Sequence, residues 1–155
     1  MSYDKFIEEY LSKSFIKKQE VGFDQINKMV KQANKELNTC VKILEMSSEL
    51  SYTSAYSAML YTGRALMLLK GYRAIGVNKH KTIVEFIGVY VGEEEKILME
   101  KFDNMRKKRN LLTYEPWRLN ISKTDAENAL KSAREFVSFI MDKIKEENPQ
   151  IEFKF

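Results

Sequence analysis

A chain of 155 residues with only two prolines, Pro116 and Pro149, and six glycines has few places to turn. Between these breaks the apolar residues recur at spacings of three and four instead of alternating, the period of a helix face and not of a half-buried strand. The chain therefore reads as all-α, an up-and-down bundle of five to six helices. One hydrophobic core suffices, because a chain of this length buries roughly two thirds of the surface its unfolded form exposes. No internal repeat, low-complexity tract or long linker divides it, so residues 1–155 are expected to form a single domain. A helix at 3–18 and a tail at 149–155 are expected on its periphery.

The pattern predicts the helices in turn. The first carries Phe6, Tyr10 and Leu11. The second starts near Phe23 and keeps Ile26, Met29, Val30, Ala33, Leu37, Val41 and Leu44 on one stripe for about six turns. The third, SYTSAYSAMLYTGRALMLLKG, is apolar or small around most of its circumference. It is expected to be the central helix, capped by Ser51 and ended by Gly71. GYRAIGVNKHK reads as a loop, and Thr82 to Glu85 has the form of a capping box opening a short helix that stops at Gly92. The last helix, opened by Thr124 to Glu127, carries Ala126, Ala129, Leu130, Ala133, Phe136, Val137, Ile140 and Ile144.

The fifth helix, about 93–115, holds the charge. Segment 101–109, KFDNMRKKR, has five cations and one anion, a surplus of +4 that equals the net charge of the whole chain. A partner drawn by charge is therefore anionic and approaches there. Glu93, Glu94 and Glu95 at the start of this helix and the cations near its end also match the helix dipole, which alone would account for a solvated basic face. Yet Leu98, Phe102, Met105, Arg109 and Leu112 follow at steps of 4, 3, 4 and 3, so Arg109 takes a core-stripe position, and Arg106, Asn110 and Tyr114 form a second ladder beside it. Pro116 ends the helix.

Several chemistries are excluded. One His and one Cys offer no clustered metal ligands, so neither a metal nor a cofactor is expected. A single cysteine, Cys40, forms no intrachain disulfide and reads as a small buried apolar residue. Phosphate-cradling glycine loops are absent. No apolar run approaches the roughly 18 residues of a membrane span, and the start MSYDKFIEEY lacks a leader's features, so a cytoplasmic protein without membrane attachment is expected. His80, beside a helix start, caps or hydrogen-bonds a neighbour or else binds phosphate. Arg64 stands among Ala, Leu and Met and needs an acceptor or an opening to water. Ser57, Tyr61 and Arg64 share one face by spacing, a polar seam on an apolar helix.

SAYSAMLYTGRALMLLKGY, a His-containing loop, and then RKKRNLLTYEP together resemble, in that order and separation, the HEPN family (higher eukaryotes and prokaryotes nucleotide-binding domains). The resemblance spans roughly residues 23–145. It implies a small helical bundle, commonly a homodimer. It also implies a metal-independent ribonuclease of toxin–antitoxin or defence systems, or a noncatalytic module partnering a small nucleotidyltransferase. The family's motif is Arg, a polar residue, a short gap, then His. Arg109 and Asn110 match its first two positions, and Tyr114 stands where the His belongs. A phenol with a reference pKa near 10 is a poor base at neutral pH, so RNA or nucleotide binding carries over more directly than cleavage. The resemblance implies a shared groove at the dimer interface lined by Arg109, with Arg106, Lys107 and Lys108 nearer its rim and with Arg64 and His80 as further binding residues. In the partnered module Tyr114 would be a contact or a nucleotide acceptor.

Overall fold

The computed structural model describes residues 1–149. Six helices, α1 (Tyr3–Ser12), α2 (Phe23–Ile43), α3 (Ser48–Leu69), α4 (Lys79–Val91), α5 (Lys96–Tyr114) and α6 (Lys123–Glu147), make an all-α bundle. They are joined by one small antiparallel pair of strands, β1 (Ile16–Lys18) and β2 (Tyr72–Ala74). The residues of the tail IEFKF lie outside the described ones.

α3 is the central helix, packed most extensively against α2 and α6 and flanked by α4 and α5. Between Ser51 and Leu68 every residue is buried except Thr53, Ser57, Tyr61 and Arg64, which recur at steps of 4, 4 and 3. The polar seam expected from spacing is thus the one side of α3 that reaches towards water. On α6 all eight residues of the expected stripe are buried. On α2 the stripe holds Ile26, Val30, Ala33 and the buried Cys40, whereas Val41 is exposed. The Ser51 hydroxyl donates to the Cys40 carbonyl at 2.8 Å, close to the α2–α3 turn. Phe102 of α5 stacks at a tilt on Phe136 of α6, with centroids 4.6 Å apart. Burial of each ring stabilises the fold by roughly 1.5–3 kcal/mol.

Helix ends differ from their expected places for local reasons. α1 stops at Ser12 instead of running to about residue 18. Phe15 N–H donates to the Tyr10 carbonyl and Ser14 N–H to that of Leu11, a Schellman turn with Ser14 at φ 57° in the place glycine usually takes. The chain then extends so that Ile16 pairs with Ala74, both buried, and part of the segment expected as a loop after α3 becomes β2. α3 begins four residues early because Ser47, not Ser51, accepts from the N–H of Leu50. Asn78 precedes α4, and Thr82 lies buried within it instead of capping it. Ser122 and Asp125 form the capping box of α6. Gly71 (φ 91°) and Gly92 (φ 79°) end α3 and α4 as expected, in a conformation that a side chain would strain.

Gly63 sets the spacing between α3 and α4. A Cβ there would meet Ile83 Cγ2 at 3.1 Å and Ile87 Cγ1 at 3.6 Å. This close approach brings the first turn of α4, with His80, onto the side of α3 that carries Tyr56.

Candidate nucleic-acid interface

Arg106, Asn110 and Tyr114 rise along α5 at steps of four, with Arg109 beside Asn110. These four, together with His80 and the turn 76–79, line a single polar cleft of about 320 Å³. On an ideal helix Arg109 and Tyr114 diverge by about 140°, but Asn110 stands between them, about 40° from the direction of Tyr114. Tyr114 is the last residue of α5 and is 73 % exposed, so its ring forms part of the cleft's outer edge. Turn residue Val77 is fully exposed.

Nδ1 of His80 is 3.1 Å from the Tyr56 hydroxyl. Burial, followed by the charges of Arg109, Arg64, Arg106 and Lys79, lowers the imidazole pKa to about 4. Burial pushes the Tyr56 phenol above its ordinary value even though Arg109, Arg106 and Arg64 act to lower it. At neutral pH both partners are therefore uncharged. A phenol that donates to Nδ1 leaves the ring proton on Nε2. Tyr56 also packs on Phe102, with centroids 5.9 Å apart, which ties the imidazole to the aromatic core.

The cations divide according to helix direction. Arg106 is half-buried, its side chain only 13 % exposed, and it pairs with Asp103 at 2.9 Å. Lys107 reaches the same carboxylate at 3.2 Å. Burial acts to raise the Asp103 pKa, but hydrogen bonds from Arg106 and Lys107 outweigh it and hold the group below the usual carboxylate range. Arg109 is half-buried, and among the described residues neither it nor Arg64 has a carboxylate within ion-pair distance.

The structure thus brings Arg106, Arg109, Asn110, Tyr114 and His80 together. It leaves Lys107 and Lys108 outside the cleft: Lys107 borders a groove beside α1 and α4, and Lys108 another against α6. At about 100° per residue, one and two steps past Arg106 are enough to turn them away. Arg64 lines a separate cavity, whose border shares Lys79 with the cleft. Tyr56 and Lys79 are additions to the residues expected from sequence. No local signal links positions 56 and 80, which meet through the α3–α4 packing at Gly63. Lys79 had a signal, since NKHK places three potential cations side by side.

The model of the HEPN domain family matches residues 26–145. The chain is a HEPN domain. No curated protein and no solved structure matched it. HEPN domains are all-α, commonly dimerise and bind nucleotides, and membership supports a nucleotide-binding or ribonuclease-like module in general. The match begins inside α2, so α1 and β1 precede the matched region, and it ends within α6. No described helix is long and apolar enough to cross a membrane.

Proposed function

We propose that this HEPN domain binds RNA or a nucleotide by its phosphate in the cleft of Arg106, Arg109, Asn110, His80 and Tyr114, and that two copies share this cleft. The observation that carries the reading is Arg109, a half-buried guanidinium without a carboxylate partner among the described residues, set beside a second arginine and a neutral imidazole. A guanidinium so placed gains an acceptor when phosphate arrives, in the two-pronged geometry that suits it. The Asn110 amide and the Tyr114 hydroxyl add neutral donors.

Binding is favoured over cleavage. Tyr114 takes the position of the motif imidazole, and a phenol donates a hydrogen bond more readily than it removes a proton near neutrality. His80, with a pKa near 4, is a weak base in the free protein.

The deciding experiment measures anisotropy of a labelled single-stranded RNA over a salt series, beside Arg109→Ala. Affinity is expected to fall with log salt at a slope of about −0.7 per phosphate contacted, and more weakly in the variant. Salt-independent binding, or equal binding by both proteins, would sink the proposal. A second reading is favoured by the exposure of Tyr114, whose ring an enzyme can reach. In it the domain partners a nucleotidyltransferase and Tyr114 accepts a nucleotide. Unchanged intact mass after co-expression with such an enzyme would remove it.

A further inference from the structure

A second cavity, of about 210 Å³, lies between the β1–β2 pair and the neighbouring parts of α2, α3 and α4. Arg64, Arg73 and Lys79 line it, together with Gln19 and Gln25, and no carboxylate does. Arg73 and Lys79 are exposed and Arg64 partly so, and together the three cations give this small space a positive potential that attracts an anion.

Of the three, Arg64 is only partly exposed, on the one side of α3 that reaches towards water. Its guanidinium carbon stands 5.8 Å from the Tyr61 ring centroid, a contact that supplies no hydrogen-bond acceptor in the plane of the fork. With no carboxylate within ion-pair distance among the described residues, its guanidinium has donors to offer an anion that enters the cavity.

We propose that this cavity is a phosphate-binding subsite. Its size supports a small group, since pockets for drug-sized ligands run to about 300–1,000 Å³. Guanidinium, ammonium and amide donors from several directions suit the multiple acceptor oxygens of phosphate. Lys79 borders both this cavity and the α5 cleft, so the two seats take two phosphates of one ligand. That link, though not the cavity itself, rests on the proposed function of the cleft.

The side-chain amides of Gln25 and Asn110 are separate reporters, one in each seat. They can be followed by ¹H–¹⁵N NMR and assigned by their loss in Gln25→Ala and Asn110→Ala. Inorganic phosphate is expected to shift the Gln25 amide saturably. The midpoint should rise at least about tenfold in Arg64→Met and stay unchanged in Arg109→Ala. Arg73→Glu, an exposed substitution that leaves the core intact, should do the same as Arg64→Met. An RNA dinucleotide with a 5′-phosphate should move both amides with one midpoint. AMP moving Gln25 at the same midpoint as the dinucleotide would identify a free nucleotide as the source of the phosphate and would still support the subsite. A Gln25 amide unmoved by every probe while Asn110 shifts overturns the subsite and leaves the cleft. The reverse pattern overturns the cleft and leaves the subsite, and stillness of both amides overturns both.

Discussion

The Tyr56 hydroxyl lies 3.1 Å from Nδ1 of His80 and joins the core of the bundle to its basic cleft. Tyr56 is buried against Phe102, and Phe102 against Phe136, so a continuous line of rings runs from α6 to the imidazole. Movement of α4 would break this hydrogen bond, and protonation of His80 would remove its acceptor.

Acid should therefore weaken the fold through His80. Its pKa falls from 6.5 in the unfolded chain to about 4 in the folded one, so between these values the unfolded state binds more protons and stability rises with pH. The penalty is absent above about pH 6.5 and complete below about pH 4; allowing for solvent screening of a half-exposed ring, it is of order 1–3 kcal/mol. Urea melts at pH 7 and pH 4.5 should show His80→Gln losing less stability on acidification than the parent. Equal losses would contradict this account.

Removal of Arg109 should cost binding and not stability. Arg109 has no carboxylate partner among the described residues and lies one turn from Arg106 on the same helix, so Arg109→Ala relieves repulsion in the free protein. Affinity for single-stranded RNA should drop about tenfold, as for loss of one charged hydrogen-bonding group. The melting temperature should hold or rise. A clear drop in melting temperature with unchanged affinity would make Arg109 a structural residue instead.

Asp103 restrains Arg106, and its removal should free that cation. Asp103→Asn eliminates the carboxylate shared by Arg106 and Lys107. We expect tighter RNA binding together with a stability loss of about 0.5–1 kcal/mol, the scale of a partly exposed ion pair. Anisotropy titrations and denaturant melts test the two parts separately, and weaker binding would show that Asp103 orients Arg106 instead of competing with the ligand.

Tyr114→His would place an imidazole at the position proposed to correspond to the motif histidine. If the cleft holds RNA as proposed, the variant should cleave it in EDTA about 10²-fold faster than the parent or more, the usual contribution of a positioned general base. Gel assays of both proteins beside the double variant Tyr114→His, Arg109→Ala decide the matter. Equal rates for the variant and its parent would mean that position 114 is not the missing base.

Gly63→Val should destabilise the bundle by roughly 1–3 kcal/mol, because the new side chain would press on Ile83 and Ile87 in a closed core. The displaced α4 would carry His80 with it. The variant should therefore also lose the His80-dependent part of the acid sensitivity, which the same melts at two pH values would report.

The helical stripes were legible because burial is periodic along a helix: the α6 core came through complete, and Arg109 stood out as a cation on an apolar line. Helix ends were less so. The Schellman turn at Ser14 uses a serine where glycine is the usual signal, and three-residue strands are too short to show alternation. The pairing of Tyr56 with His80 was hidden because it depends on where two helices cross. Lys107 and Lys108 were expected beside Arg106 at the rim of the groove, although α5 turns them towards other grooves.

The β1–β2 pair joins residues 16–18 to residues 72–74, with all of α2 and α3 lying between them. Closing so long a loop in an unfolded chain costs entropy that three residues of ladder cannot return. The two strands therefore meet only after the α2–α3 hairpin has formed, which makes the N-terminal segment a late arrival in folding. Gln19 and Arg73 flank this seam, so the phosphate cavity is finished only when the first residues of the chain have come home.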